Sequence, residues 1–213
     1  MKTFIHEEVY RTEKLLRAMA STNVTVCGCG AIGSNLIDNM CRQGFVYLTA
    51  IDMDRIEDHN RSTQIWDRTE IGLLKADVMK RKAYNSTGAM VTPIAKELTG
   101  ENVKKFLRGS ALVIDSFDNS KSRQLIYDHC KEAKIECLHV GLYRDYAEVI
   151  WNDSYLVPKG TGALDVCEYP LARNVILLSV AVATESIIRF IQDGSKQSFT
   201  ITLKDLRINR KED

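Results

Sequence analysis

Short apolar runs alternate with stretches of helical spacing along the first part of the chain. The run Asn23–Cys27 is short, apolar and β-branched, which is typical of a buried strand. Helical spacing follows over Ser34–Arg42, and a second apolar run covers Phe45–Ile51. A strand, a turn, a helix and a second strand in this order predict a βαβ unit.

The same alternation extends on both sides of that unit. Residues 5–19 have the pattern of an amphipathic helix. Further elements are predicted at 71–84 (helix), 89–94 (strand), 101–107 (helix), 111–114 (strand), 121–133 (helix) and 136–140 (strand). Alternating strands and helices indicate a parallel sheet with helices packed on it.

The pattern changes after residue 143. Strands are predicted at 146–151 and 155–157, on either side of the polar turn 151–154. A long apolar helix is predicted at 171–190 and a closing strand at 199–203. These extra strands indicate that the sheet becomes mixed at its far edge.

Composition excludes several classes of function. The 29 Lys and Arg residues nearly balance the 28 Asp and Glu residues, which argues against a nucleic-acid partner and against an anionic membrane surface. The six cysteines form no C-x-x-C pair, so we expect no zinc. The opening residues lack the apolar core of a signal peptide, and the apolar stretch Val175–Ala183 is too short to span a bilayer. We therefore expect a cytoplasmic protein without a membrane partner.

A glycine-rich loop follows the first strand and opens the first helix of the βαβ unit. Its sequence, GCGAIG at 28–33, fits the pattern G-x-G-x-x-G that brings a phosphate to a helix N-terminus. Asp52 ends the second strand, where an acid can hydrogen-bond a ribose hydroxyl. The loop residues expected to contact a nucleotide are Gly28, Gly30, Ala31, Ile32 and Gly33. The fold class is therefore α/β, a Rossmann-like mixed sheet flanked by helices, in which antiparallel strands follow a parallel nucleotide-binding half.

The glycine loop alone does not choose between a nicotinamide, a flavin and ATP. Asp52 and Asp54, two residues apart at a strand end, point to the same side and suit a magnesium nucleotide better than a nicotinamide. A Rossmann dehydrogenase remains a weaker alternative, because later motifs have no role in it.

Four ordered motifs resemble those of the ThiF/MoeB/HesA superfamily, relatives of the ubiquitin-activating enzymes. The glycine loop is the first, and I-G-L-L-K at 71–75 is the third. The second matches D-x-D-x-V-x-x-(S/H)-N-L-x-R-Q at Asp52, Asp54, Ile56, His59, Asn60 and Gln64. The fourth matches D-x-x-D-N-x-x-x-R at Asp115, Asp118, Asn119 and Arg123. The resemblance covers residues 10–191.

This resemblance implies ATP and Mg²⁺ as cofactors. It implies that Asp52 holds the ribose, that Asn60 and Lys75 contact the phosphates, and that Asp118 binds or orients Mg²⁺. Asn119 with Arg123 would brace the loop that carries Asp118. Asp54 and Gln64 complete the implied nucleotide-contacting residues. Simpler interpretations are a solvated lysine at 75, a helix cap at 118–119, and an ion pair of Arg123 with Asp115 or Asp118.

Two positions at which the superfamily has an arginine need separate discussion. Thr63 stands where the motif has its arginine, so either Arg61 supplies that guanidinium from a shifted backbone or the contact is missing. Arg11 resembles an upstream arginine that reaches the phosphates of a partner subunit, which implies a homodimer. Its alternative is a surface arginine on an amphipathic helix.

Cys167 is the one candidate for a thiol step after adenylation. It lies in a glycine-containing segment before the last long helix, the region where some superfamily members carry a catalytic cysteine. The acidic neighbours Asp165 and Glu168 disfavour a thiolate, so a structural cysteine is the alternative.

The implied function is ATP-dependent adenylyl transfer. The substrate would be the C-terminal carboxylate of a ubiquitin-like or sulfur-carrier protein that ends in glycine. The alternatives are adenylation of a small-molecule or tRNA-borne carboxylate, and a non-catalytic subunit of a heterodimeric activating enzyme. We expect one adenylation domain over 1–213, with an N-terminal helix at 1–22, a nucleotide-binding half at 23–140 and a carrier-binding half at 141–213.

Overall fold

The computed structural model describes residues 3–158 and 170–211. Eight strands form one mixed sheet in the order β3-β2-β1-β4-β5-β6-β7-β8. Strands β1 to β5 are parallel, and β6 to β8 are antiparallel. The strands are β1 (Val24–Cys27), β2 (Tyr47–Ile51), β3 (Met90–Ile94), β4 (Leu112–Asp115), β5 (Glu136–Tyr143), β6 (Tyr146–Trp151), β7 (Phe199–Thr202) and β8 (Arg207–Arg210). The predicted fold class is confirmed.

Helices cover both faces of this sheet. They are α1 (Ile5–Arg11), α2 (Glu13–Ser21), α3 (Ala31–Arg42), α4 (Lys75–Thr87), α5 (Val103–Phe106), α6 (Ser120–Ala133) and α7 (Arg173–Asp193), with 3-10 helices at Asp58–Ser62, Arg68–Glu70 and Asn152–Ser154. One core packs α2, α3, α4 and α7 against the sheet, and a second packs α5 and α6 against its other face. Every residue of β1 and β4 is buried between them, which explains their continuous apolar sequence.

The predicted helix at 5–19 is wrong as a single element. The backbone of Thr12 has a φ of 78°, in the left-handed region, so α1 ends before it and α2 begins after it. The Thr12 hydroxyl accepts a hydrogen bond from the backbone N–H of Leu15 and caps α2. Apolar periodicity continues through this break, and it therefore does not reveal it.

The antiparallel half also differs from the prediction. Strand β5 continues to Tyr143 and pairs with β6, so the hairpin turn lies at 144–145 and not at 151–154. Residues 155–157 are not a strand, because Tyr155 turns into the fold and stacks on the His139 ring at 3.7 Å between centroids. Strand β8 was not predicted, since its four residues are all exposed and two of them are arginines.

Helix α7 extends the predicted element at its C-terminal end. By length and composition it could cross a membrane, which the shorter stretch Val175–Ala183 did not indicate. Half of its most apolar window is buried inside the fold, against α3 and the sheet. The observed packing is that of a core helix.

The sheet topology places one crevice at the carboxyl ends of β1, β2 and β4. From β1 the chain moves outward to β2 and β3, and it then returns to β4 on the other side of β1. The connections after β1 and β4 therefore diverge, which opens a crevice where ligands bind in sheets of this kind. Cys27 is in register with Ile51 on one side and with Asp115 on the other, so the three strand ends lie level.

Candidate active site

The glycine loop forms one wall of this crevice. Its three glycines differ in their backbone conformation and in the space around them. Gly28 has a φ of 97°, which favours glycine. A Cβ on Gly33 would lie 1.9 Å from the Gly28 carbonyl oxygen, so the first turn of α3 packs directly on the loop. A Cβ on Gly30 would meet nothing within 4 Å. Open space therefore lies beside the backbone at the start of α3, where N–H groups without helical partners favour an anion.

Asp52 holds the glycine loop in place. Its Oδ2 accepts a hydrogen bond from the backbone N–H of Cys29 at 2.6 Å, and its Oδ1 accepts one from that of Asp54 at 2.8 Å. Burial raises the pKa of the Asp52 carboxyl, and the Lys75 charge and both N–H groups oppose that rise. Each oxygen retains a second lone pair that a ribose hydroxyl could use.

Lys75 and Asp54 form an ion pair at the same edge. The Lys75 Nζ lies 3.1 Å from Asp54 Oδ2, and the lysine side chain is only 8 % exposed. The predicted helix at 71–84 instead begins at Lys75, because Gly72 has a φ of 87° and residue 74 is extended. Lys75 is thus the first helical residue, a buried cation directed to the crevice edge and not a solvated lysine.

The segment 57–66 is held mainly by its own contacts. Asn60 accepts a hydrogen bond from the backbone N–H of Glu57 and caps a 3-10 helix, and Gln64 accepts one from the Trp66 indole. Both side chains are buried. Their implied nucleotide contacts therefore stay predictions, whereas their structural contacts are visible.

Arg61 is engaged within the same segment. Its guanidinium lies 2.5 Å from the Asp58 carboxylate, one helical turn earlier in sequence. The backbone of Thr63, where the motif has its arginine, accepts a hydrogen bond from the Asn35 side chain at 2.9 Å. Asn35 belongs to the second turn of α3, so this segment lies beside the glycine loop.

The loop after β4 forms the opposite wall of the crevice. The Ser116 hydroxyl lies 2.9 Å from the Cys27 carbonyl oxygen and 3.1 Å from that of Gly28, which ties this wall to the glycine loop. Asp118 is exposed, and it has no hydrogen bond or ion pair with any residue in the described ranges. Asn119 accepts a hydrogen bond from the Ser122 backbone N–H and caps α6, as its simpler interpretation predicted.

A buried polar network supports that wall from below. Asp115 Oδ2 lies 2.8 Å from His139 Nδ1 and 3.4 Å from the Arg123 guanidinium. His139 Nε2 lies 2.7 Å from Asn152 Oδ1, and Arg123 also donates to the Tyr155 hydroxyl. Arg123 thus pairs with Asp115 and not with Asp118, and no other described residue forms an ion pair with the Asp118 carboxylate.

Arg11 lies at the far end of α3 from the glycine loop. Its guanidinium contacts Glu7 at 2.7 Å, Glu185 at 2.8 Å and Gln43 at 3.3 Å, all in the same chain. Gln43 follows the last residue of α3, a 12-residue helix about 18 Å long. A contact between Arg11 and the nucleotide of a partner subunit stays a prediction.

The described cysteines are buried and unreactive. Cys27, Cys29, Cys41, Cys130 and Cys137 are all free thiols inside the fold. Burial, followed by the Asp52 charge, raises the pKa of Cys29 well above its ordinary value. Cys167 lies outside the described residues, and its role in a thiol step stays a prediction.

Two contacts of the site were not predicted from the sequence. Ser116 lies inside the fourth motif, at a position that the motif leaves open, and only the register of β1 and β4 brings it to Gly28. His139 is fully buried. Its pairing with Asp115 follows from the register of β4 and β5.

Fold and site together define an α/β protein of the doubly wound class, with a glycine loop at the switch point of a mixed sheet. Comparison with known families narrows this class: the ThiF family matches residues 6–175. The chain belongs to the ThiF family, as its motifs predicted.

Three similar proteins illustrate the family. The chain is 30 % identical over 132 residues to a tRNA threonylcarbamoyladenosine dehydratase of Escherichia coli, covering 61 % of this chain and 49 % of that protein. It is 33 % identical over 119 residues to a sulfur carrier protein adenylyltransferase of Thermus thermophilus, covering 54 % and 42 %. The crystal structure of E. coli MccB with ATP superposes with a TM-score of 0.80 at 19 % identity, covering 98 % and 69 %. The chain spans about half the length of the curated relatives that it matches.

The steric difference between two glycines gives a test of the loop. We expect Gly33→Ala to destabilise the protein by about 2 kcal/mol or more, because its Cβ would overlap the Gly28 carbonyl. Gly30→Ala, whose Cβ meets open space, should cost less than about 1 kcal/mol. Urea unfolding of both variants measures the difference, and equal losses would contradict this packing.

The buried network predicts a second stability effect. Removing the His139 ring leaves the Asp115 carboxylate buried with one partner fewer, so we expect His139→Ala to cost about 3 kcal/mol. His6→Ala, at an exposed position, is the matched control and should change stability by less than about 0.5 kcal/mol. Similar unfolding midpoints for the two variants would argue against the network as a support.

Proposed function

We propose that this protein is an enzyme, an ATP-dependent adenylyltransferase that activates a carboxylate as an acyl-adenylate. One observation carries the proposal: the start of α3 at Gly30 is open, and Ser116 ties it to the loop of Asp118, an exposed carboxylate without an ion pair among the described residues. Lys75 adds a buried cation to the same edge. The names of the ThiF-family relatives support the reaction class.

The reaction is an attack at the α-phosphorus of ATP. A carboxylate oxygen of the substrate forms a bond to this phosphorus, and the bond to the oxygen bridging the α- and β-phosphates breaks. Pyrophosphate leaves with the bonding electron pair. Negative charge builds on the phosphates, so the N–H groups at the start of α3 and the Lys75 ammonium would stabilise it before and during the step.

Asp118 is the residue that would hold Mg²⁺. No group of three or more His, Cys, Asp or Glu residues that could form a protein metal cage exists within residues 3–158 and 170–211. A single free carboxylate nevertheless suits Mg²⁺, which is commonly bound by one or two carboxylates together with substrate phosphates and water. When bound, the ion would neutralise phosphate charge.

For the substrate we propose the C-terminal carboxylate of a ubiquitin-like or sulfur-carrier protein. Exposed apolar side chains at Met53 and Leu73 belong to the loops that follow β2 and precede α4. Leu156, also exposed, lies after β6, two residues before Pro158, whose carbonyl oxygen accepts a hydrogen bond from Ser120 at the start of α6. Such side chains suit a polypeptide tail better than RNA, and the near-neutral charge of the chain agrees. We keep homodimer formation and a cytoplasmic location as predictions.

A tRNA-borne carboxylate is the second candidate. The printed name of the E. coli relative, a tRNA threonylcarbamoyladenosine dehydratase, is the observation that favours it. A non-catalytic role in a heterodimer is the third, and Thr63 in place of the motif arginine motivates it.

Exchange of labelled pyrophosphate into ATP tests the proposed reaction. We expect the purified chain to catalyse this exchange when Mg²⁺ and a carrier protein ending in glycine are present. Asp118→Ala should lower the rate about 100-fold or more, because the crevice loses its free carboxylate. Asp128→Ala, an exposed aspartate on α6, is the matched control and should retain the rate.

The outcomes separate the candidates. Exchange stimulated by a tRNA with a carboxylate-bearing modification, and by no carrier, would favour the second candidate. Absence of exchange with every substrate, together with absence of ATP binding, would favour the non-catalytic subunit. A full rate in Asp118→Ala would contradict the role of Asp118.

A further inference from the structure

The segment that follows β2 carries no guanidinium at the arginine position of the motif, and its exposed Arg55 donates to the Gly72 carbonyl oxygen instead. Thr63 occupies the arginine position of the motif, and Arg61 is paired with Asp58 at 2.5 Å. Phosphate chemistry at this crevice nevertheless requires positive charge, because two or more anionic groups meet there during adenylation. A cation from another segment could supply this charge near residue 63.

Arg173 reaches it from the other half of the chain. Its Nη1 donates a hydrogen bond to the Ser62 carbonyl oxygen at 3.2 Å, the residue directly before Thr63. Arg173 is exposed and is the first residue of α7. One side chain thus joins two segments that are 111 residues apart in sequence.

The packing of α7 on α3 explains this position. Asn39 of α3 donates to the Thr184 hydroxyl of α7, and the earlier residues Asn35 and Arg173 both contact residues 62–63, so the two helices run side by side and parallel. Arg173 precedes Thr184 by about 16 Å of helix, and Gly30 precedes Asn39 by about 13 Å. Both helices therefore begin at the same end of the molecule, where the glycine loop lies.

A second set of contacts places Arg173 beside the first turns of α3. The Asn35 side chain donates to the carbonyl oxygens of both Thr63 and Ala31, at 2.9 and 2.7 Å. Ala31 is the first residue of α3. The Arg173 guanidinium contacts Ser62, the next residue is Thr63, and the Asn35 amide links Thr63 to Ala31. This chain of contacts connects Arg173 to the start of α3.

Helix stability does not explain an arginine at this position. A cation at the first residue of a helix opposes the helix dipole, and α7 has no acidic residue in its first turn. No ion pair of Arg173 with a carboxylate occurs in the part of the chain that the structure describes. The bond to Ser62 uses one of five N–H donors, and no other hydrogen bond of the guanidinium occurs among residues 3–158 and 170–211.

We propose that Arg173 supplies the phosphate-contacting guanidinium that the motif places at residue 63. This inference rests on the proposed function and deepens it. The guanidinium that contacts the phosphates of ATP comes from α7 and not from the segment after β2. Adenylation then requires α7 to be docked on α3. The contact is a specificity determinant for the triphosphate, since adenosine offers no anion to it.

Binding of ATP and adenosine to the full chain, measured by titration calorimetry, tests this role. We expect Arg173→Ala to weaken ATP binding about tenfold or more and to slow pyrophosphate exchange about 10- to 100-fold, with adenosine binding unchanged. Arg189→Ala, on the exposed face of the same helix, is the matched control and should leave all three values unchanged. Circular dichroism confirms that both variants fold.

A rescue experiment separates phosphate contact from a merely structural link to Ser62. Introducing Thr63→Arg into the Arg173→Ala variant should raise the exchange rate at least tenfold above that of Arg173→Ala alone, because a guanidinium returns to the motif position. A structural link would not be restored in this way, so absence of rescue together with equal losses of ATP and adenosine binding would overturn the inference.

Failure of this inference can be told apart from failure of the proposed function. If the wild-type chain binds neither ATP nor adenosine, both are wrong. If the wild type binds ATP and catalyses exchange, and Arg173→Ala does the same at full strength, only the inference is wrong. Loss of exchange in Arg61→Ala with retention in Arg173→Ala would assign the guanidinium to Arg61 instead.

Discussion

The contact between the Asp52 carboxylate and the Cys29 backbone N–H is the interaction on which the site depends. It joins the end of β2 to the glycine loop at 2.6 Å, and its second oxygen fixes the backbone at Asp54. Asp54 in turn orients Lys75 at the start of α4. One buried carboxylate thus sets the position of the loop, of a second acid and of a cation.

The crevice opposite this contact is built by strand register. Cys27 pairs in register with Asp115, and this brings Ser116 onto the glycine loop and leaves Asp118 exposed two residues further on. Arg123 and His139 satisfy Asp115 inside the fold. The internal acid is therefore partnered within the fold, whereas the external acid has no ion pair among the described residues.

The sequence predicted those parts of the fold that depend on local pattern and motif. The buried strands β1 and β4, the glycine loop and the order of elements from β1 to β5 follow from apolar runs and glycine spacing, and all are confirmed. The helix break at Thr12 was missed because apolar periodicity continues through it. Tyr155 was missed because its position depends on the distant His139 ring, and β8 because it lies at an exposed sheet edge. The contact of Arg173 with Ser62 could not be predicted, since it requires the docking of α7 on α3.

Hydrogen–deuterium exchange of the purified chain, with and without Mg²⁺ and ATP, tests the location of the nucleotide most directly. If the switch-point crevice binds ATP, protection will concentrate in peptides covering 28–35, 52–64 and 115–119. A separate cavity of about 340 Å³ lies between α6 and the start of β5, lined among others by Tyr127, Cys130, Glu136 and Lys196. Protection confined to the peptides of that cavity, with none in the glycine loop, would contradict the site described here.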